Sequence, residues 1–104
     1  MKRIILPFIF SLTFIVGAFA GERYWVGGSG NWNDPKHWSE RSGGVYGVSV
    51  PTSNDDVIFD SKSFTTDGEE VFIEGKVECR NMKWKDIIYS STLSGNSASS
   101  INIY

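Results

Sequence analysis

The stretch that decides the fold is residues 24–60, YWVGGSGNWNDPKHWSERSGGVYGVSVPTSNDDVIFD. It holds three of the four tryptophans of the chain, Trp25, Trp32 and Trp38, separated by glycine-rich segments. Tryptophan carries a large apolar surface and one N–H that needs a partner when it is buried. Glycine permits tight turns and close approach of two backbones. The combination predicts turn-rich β-structure held together by a few large rings.

The N-terminal end has the three parts of a secretory signal. A basic start, Met1–Arg3, precedes an apolar run of 17 residues from Ile4 to Ala20. That run lies at the short edge of the roughly 17–25 residues that a membrane span needs, and it ends in an A-x-A-like site before Gly21. We therefore interpret residues 1–20 as a signal peptide cleaved between Ala20 and Gly21. The protein is expected to leave by the Sec pathway for the periplasm, the cell surface or the medium.

The charge and the cysteine content of residues 21–104 exclude several classes of protein. This part keeps 8 Lys and Arg against 12 Asp and Glu, a formal charge of −4. An acidic surface gives no electrostatic basis for nucleic-acid binding, and no apolar segment is left that could span a membrane after signal cleavage. The one cysteine, Cys79, predicts a buried apolar group and no disulfide framework. No cofactor is expected.

Short β-branched and aromatic segments after residue 54 are typical of strands, and turn residues separate them. No window in residues 21–104 sustains a helical period, so only a single turn over Pro35–Trp38, with Asp34 as its cap, is expected. This spacing predicts an all-β sandwich, barrel or solenoid. The predicted strands are Val57–Phe59, Val71–Ile73, Met82–Trp84, Ile87–Tyr89 and Ile101–Tyr104.

Several motifs together resemble the opening of the mature region in very large secreted, adhesin-like surface proteins of gliding-type outer-membrane bacteria. The similarity covers about 80 residues and includes the spacing of the motifs as well as their composition. The segments that carry it are Tyr24–Trp32, Asp34-Pro35, His37–Ser39, Ser42–Gly44, Pro51-Thr52, Asp55–Asp60, Ser63-Phe64, Cys79–Trp84, Thr92–Gly95 and Ile101–Tyr104.

The resemblance implies a right-handed parallel β-helix or a related β-solenoid, with type IX-exported relatives, adhesin-like roles and no catalytic residues in this region. Residues 21–54 would form a Trp/Gly-rich N-terminal cap. Residues 55–104 would form an incomplete solenoid-like region of about two rungs, since solenoid repeats take 20–29 residues in a common class. A small β-sandwich is the alternative fold.

The segment Ile101–Tyr104 starts an apolar/polar alternation just where the chain stops. We interpret the chain as a truncated N-terminal fragment of a larger surface protein. An uncovered stack of strands would leave an exposed edge that pairs with other chains, so an association-prone monomer is expected.

The tryptophans allow a second interpretation, a small carbohydrate-binding module. The faces of Trp25, Trp32 and Trp38 would stack on sugar rings, while Asn31 and Asp34 would bind hydroxyl groups. Against this, the segment has few other large apolar residues, so the rings are needed as core. Polysaccharides and other surface proteins are the partners that these two interpretations suggest.

The acidic residues are only weak candidates for a metal site or a catalytic site. Asp55, Asp56 and Asp60 could contribute to a calcium site, but their spacing matches no calcium loop, and turn carboxylates often bind backbone N–H groups instead. His37 has no second histidine or nucleophile in support. Paired glutamates that could suggest a glycosidase are more typical of a solvated strand face; they are Glu69, Glu70, Glu74 and Glu78.

These observations predict a secreted or cell-surface structural module that is adhesin-like and not an enzyme. The carbohydrate-binding module remains the alternative. An enzyme of pectin-lyase-like fold is a third hypothesis, but such folds build their catalytic groove from several successive rungs, and this chain is short.

Overall fold

The computed structural model describes residues 21–104, and the predicted signal peptide, residues 1–20, lies outside the described residues. The described part consists of short strands with almost no helix. The prediction of an all-β protein is therefore confirmed.

Nine strands and one 3-10 turn make up the structure. The strands are β1 Gly21–Trp25, β2 Gly30–Asn31, β3 Trp38–Ser39, β4 Asp55–Phe59, β5 Glu69–Ile73, β6 Lys76–Cys79, β7 Asn81–Trp84, β8 Ser91–Gly95 and β9 Ser100–Ile103; the 3-10 turn is Pro35–His37.

The strands form three sheets with the orders β3-β1-β4-β7, β2-β5-β8 and β6-β9. Within residues 21–104, five of the six pairings between these strands are parallel, and only β1 with β3 is antiparallel. A β-sandwich of the expected kind pairs antiparallel strands. The alternative fold therefore does not match this pattern.

The parallel pairs arrange the strands in three successive layers. The first layer holds β1 and β2, the second β4, β5 and β6, and the third β7, β8 and β9. Between the second and third layers, paired residues are about 22–25 positions apart in the chain. The segment interpreted as a cap, residues 21–54, contains the strands β1, β2 and β3.

The apolar core runs through the layers because inward-facing residues stand in register. Val57 pairs with Met82, and Val71 with Leu93. The first and second layers share this core, since the rings of the Trp-rich segment pack against Phe59. The buried members are Trp25, Trp32, Trp38, Val57, Phe59, Phe64, Val71, Ile73, Val77 and Cys79.

The 3-10 turn agrees with the sequence-based prediction. Asp34 has an extended backbone and accepts a hydrogen bond from the Lys36 N–H, with Pro35 at the start of the turn. Proline is suited to that position because its fixed φ matches the helix and its missing N–H would have no partner there. The turn places His37 and Trp38 on the core side of the chain.

Among the strands after residue 54, one prediction was wrong and two strands, β6 and β8, were missed. Ile87–Tyr89 forms no strand; Ile87 and Tyr89 pack against the core after a break at Asp86, whose φ is 54°. The strand lies just beyond, at Ser91–Gly95, where five residues pair in register with β5. Its polar residues were interpreted as a turn because β-propensity reflects the neighbours that a strand meets more than the residues alone.

No helix within residues 21–104 combines the length and the apolar character that a membrane crossing requires.

Candidate functional site

The three tryptophans of the first layer form one buried cluster. Trp25 and Trp38 are 0% exposed and Trp32 is 1% exposed. Trp38 packs edge-on against both other rings, at centroid distances of 5.1 Å to Trp25 and 5.0 Å to Trp32. Two indole N–H groups donate to backbone carbonyls: Trp25 to Gly28 at 2.7 Å and Trp38 to Trp32 at 2.6 Å. The cluster is thus a hydrogen-bonded part of the core.

These rings have no face open to a sugar, which removes the basis of the carbohydrate platform. The two polar residues assigned to it also have local partners. The Asn31 amide donates to Glu74 at 3.1 Å and its oxygen accepts from the Asn33 N–H, while Asp34 caps the 3-10 turn. The core role favoured in the sequence analysis is confirmed by this burial, and its physical reason is that a segment with few other large apolar groups uses its indoles as core.

His37 packs against one side of this cluster. Its ring stacks on Trp25 at 4.5 Å with the planes 5° apart, and its Nδ1 lies 2.7 Å from the carbonyl oxygen of Val26. A carbonyl only accepts, so Nδ1 carries the proton in this arrangement. The other edge of the ring lies over Gly30, where a side chain would collide with it. The ring is thus held by stacking on Trp25, by one hydrogen bond and by close packing against Gly30. These contacts indicate a structural role for His37.

The three aspartates considered for calcium have separate roles. Asp55 accepts from the Thr52 N–H and hydroxyl, and Asp60 accepts from the Lys62 N–H. Asp56 is paired with Arg80. Across residues 21–104 no group of three His, Cys, Asp or Glu side chains is arranged to hold a metal ion.

The four glutamates considered as a catalytic pair have separate contacts. Glu69 accepts from the Thr65 N–H and hydroxyl, and Glu74 accepts from Asn31. Glu70 and Glu78 lie on different strands, β5 and β6. None of these contacts joins two carboxylates across a cleft, as a glycosidase would require.

The outer face of β1, β4 and β7 carries the one ion pair found in the described part of the chain. The Arg80 guanidinium donates twice to the Asp56 carboxylate, at 2.9 Å each, and Asn81 donates once more at 2.9 Å. Arg80 holds the pKa of Asp56 below its usual range, against the opposing effect of burial. A shallow groove of about 450 Å³ lies here, lined also by Glu22, Arg23 and Glu40.

This pair predicts a specific acid sensitivity. Because the pKa of Asp56 is lower in the folded protein than in the unfolded chain, its contribution to stability is present above about pH 4 and is lost as the pH falls below that value. We expect the melting temperature of the Asp56→Asn variant to fall less steeply between pH 5 and pH 2 than that of the wild type. Thermal melts across this range measure the difference.

Glu40→Gln provides the matched control, because Glu40 lines the same groove but is exposed and outside the ion pair. Its acid profile should follow the wild type. Equal slopes for Asp56→Asn and the wild type would contradict the assigned role.

Cys79 is a buried free thiol between two layers. Burial raises its pKa, with a smaller effect from Asp56. A thiol that stays protonated is a poor nucleophile and a poor metal ligand. The residue therefore contributes packing.

The third layer ends in a surface of a different kind, which we call the open end. Its inward-facing side chains are half-buried or exposed because no fourth layer covers them within the described residues, and β7, β8 and β9 are edge strands of their sheets. The apolar residues of the open end are Met82, Trp84, Leu93, Ile101 and Ile103.

Trp84 is the aromatic centre of the open end. It stacks on Phe59 at 4.1 Å with the planes 14° apart, and it lies 6.4 Å from the parallel ring of Phe64. Its other side leaves it 40% exposed. The sequence analysis placed Trp25, Trp32 and Trp38 in the core and gave Trp84 no role, since only the pairing of Phe59 with Trp84 shows which ring is left uncovered.

A cavity of about 400 Å³ adjoins this surface, between Leu93 and Ile101. One of its lining residues, Ser94, has a buried hydroxyl without a hydrogen-bond partner among residues 21–104. Apolar side chains, strand edges and an unsatisfied hydroxyl thus lie together at one end of the protein.

Comparison with known proteins identifies no relative: no family model, no curated protein and no solved structure matches this chain.

Proposed function

We propose that residues 21–104 form the capped first part of a right-handed β-solenoid in an exported, adhesin-like structural protein that carries out no catalysis. The observation that carries the proposal is the parallel, in-register pairing of strands from one layer to the next. Between the second and third layers, the spacing of about 22–25 residues lies within the 20–29 residues of one common class of stacked repeats. Parallel crossovers are right-handed in about 98% of proteins, which favours that hand here.

The Trp cluster supports a capping role at the beginning of the stack. A first layer has no neighbour on one side, so its apolar face must be covered by something else. In this protein the antiparallel β3, the 3-10 turn and the indoles of Trp25, Trp32 and Trp38 provide that cover.

A structural role is also supported by the way the polar groups are used. The groove beside Asp56 is occupied by an ion pair whose members are bonded to each other, and the carboxylates of Asp55 and Asp60 bind backbone N–H groups. A catalytic site needs polar groups aimed at a substrate, with shifted proton affinities and a cleft around them. The residues of this groove instead stabilise their own strands.

The open end is the surface through which such a module would associate, and its occupant in our proposal is a second copy of the chain. The unpaired edges of β7, β8 and β9 require strands as partners. These three strands carry a single charged residue, Lys83, so two copies meet with little like-charge repulsion. The three edges are only four or five residues long, so we expect a small contact and a weak association that depends on concentration.

Substitution of Ile103 tests the proposal. Ile103 is 58% exposed at the open end, and Ile103→Lys places a charge in the contact. We expect this change to raise the dissociation constant of the dimer about tenfold or more, which corresponds to about 1.4 kcal/mol. Sedimentation velocity of the exported protein over a hundredfold concentration range measures the effect.

Val45→Lys is the matched control, because Val45 is an equally apolar residue, 77% exposed, in the loop between β3 and β4. It should associate like the wild type. A wild-type protein that stays monomeric at all concentrations would contradict the proposed contact. A saturable change in tryptophan fluorescence on addition of polysaccharides would contradict a purely structural role of the protein.

A further inference from the structure

The start of β1 fits closely against Asp55. Gly21 pairs with Asp55 in the parallel register of β1 and β4. A Cβ atom at position 21 would lie 2.6 Å from Oδ1 of Asp55, closer than real Cβ contacts allow. The Asp55 side chain cannot easily retreat, because the residue is only 8% exposed. This position therefore requires glycine.

The two oxygens of Asp55 differ in their bonding. Oδ2 accepts from the Thr52 N–H at 2.8 Å and from the Thr52 hydroxyl at 3.1 Å. Oδ1 accepts no hydrogen bond from any residue in the range 21–104, although it faces Gly21. The Gly21 N–H donates only a long bond, 3.3 Å, to the carbonyl of Asn54. Oδ1 therefore has free accepting capacity beside Gly21, and a charged donor placed there would form a strong, charge-assisted hydrogen bond.

We propose that Asp55 is the binding site for the α-ammonium group that signal cleavage creates at Gly21. This inference rests on the export proposed above. A leader-cleaving protease hydrolyses the Ala20–Gly21 amide: the hydroxyl of water goes to the Ala20 carbonyl, its proton goes to the Gly21 nitrogen, and the amine takes up one more proton from solvent. The product has an ammonium with three N–H donors where the precursor has one amide N–H.

The geometry suits such a pair. Covalent geometry places the Gly21 nitrogen about 2.5 Å from a Cβ position, and therefore no more than about 5 Å from Oδ1 of Asp55. Opposite charges at about 4–6 Å stabilise each other's charged forms. The ammonium can keep its bond to Asn54 and still donate to Asp55. Processing would then tie β1 to β4 and fasten the Trp-capped first layer onto the second.

Among the charged groups near Gly21, Oδ1 of Asp55 lies nearest to the Cβ position of this residue, at 2.6 Å, and Nη1 of Arg23 lies next, at 3.6 Å. Asp56 is bonded to Arg80, and Arg23 donates to the Glu22 carbonyl and to Ser49. The groove beside Gly21 is lined by Glu22, Arg23, Glu40, Asp56 and Arg80.

The test begins with the full chain expressed in an exporting bacterium. Intact mass and N-terminal sequencing of the exported product should show Gly21 as its first residue. Melting temperatures are then measured from pH 6 to pH 10. The stabilisation is present while the amine is protonated and is lost as the pH rises through its titration, which for an ordinary α-amine lies near 7.7–8.0. The wild type should lose roughly 4–8 °C more than Asp55→Asn over this range.

Asp86→Asn is the control of equal charge, since Asp86 is exposed between β7 and β8; it should lose as much as the wild type. If Asp55→Asn does not fold, the processed wild type is acetylated at its α-amine and used for the comparison instead. The acetylated protein should likewise lose less melting temperature between pH 6 and pH 10 than the unmodified wild type. Equal pH profiles of wild type and amine-free or Asp55→Asn protein would overturn the inference. An exported product that begins at a residue other than Gly21 would overturn the inference about Asp55 but leave the export proposal intact. A chain that is not exported and retains residues 1–20 would refute both proposals.

Discussion

Replacement of Trp38 by alanine should cost about 3–5 kcal/mol of the free energy of unfolding, the largest loss that we expect from any single substitution in this protein. Trp38 is fully buried, packs edge-on against Trp25 and Trp32, and donates its indole N–H to the Trp32 carbonyl at 2.6 Å. The variant loses the ring contacts, leaves a cavity and orphans a carbonyl. For a domain of this size the whole stability is roughly 4–13 kcal/mol.

Thermal and urea unfolding measure this loss, and a fall in melting temperature of at least about 15 °C is expected. Trp84→Ala is the matched control, because it removes the same side chain from a position that is 40% exposed. It should cost less than half as much. If Trp84→Ala proved the more damaging change, the cluster in the first layer would not be the main core.

Substitution of Gly30 by alanine should be the second most damaging change. A Cβ at this position would lie 2.5 Å from Cδ2 of His37 and closer still to its Nε2. The ring cannot swing away without losing its stack on Trp25 and its hydrogen bond to the Val26 carbonyl. Overpacking and the lost stack together should cost about 2–4 kcal/mol.

A double-mutant cycle with His37→Ala separates this clash from any other effect of alanine in β2. In the His37→Ala background the three atoms nearest to the added methyl group are removed, so Gly30→Ala should there cost less than about 1 kcal/mol. The measurement is the free energy of unfolding of all four proteins in urea. Equal costs in both backgrounds would show that the glycine is needed for a reason unrelated to His37.

The local features were readable from the sequence because they depend on residues close together in the chain. Pro35 with Asp34 before it specifies one short turn, and Gly27 and Gly28 take positive φ values in the turn expected there. The apolar strands at Val57–Phe59 and Val71–Ile73 carry strong β-propensity of their own. These predictions needed no knowledge of distant partners.

The strands at Lys76–Cys79 and Ser91–Gly95 were not predicted, because polar residues form strands there only through register with neighbours. Ile87–Tyr89 shows the converse: strong β-formers lie outside any strand and pack their side chains on the core. The exposed ring was missed for a related reason. A sequence shows that Trp25, Trp32, Trp38 and Trp84 are large rings, but only their positions in the layers show which one is uncovered.

The sequence by itself determined the class of the fold and the nature of its core. Turn-forming glycines and short β-branched segments predict an all-β protein. Its interior must be filled largely by indole rings, because residues 21–54 contain few other large apolar groups. The tertiary structure alone decided that the strands pair in parallel, that Asp56 meets Arg80, that Asp55 faces Gly21 and that Trp84 lies at the open end. Those contacts join residues 22 or more positions apart, and the register that brings them together is set by the packing of whole layers.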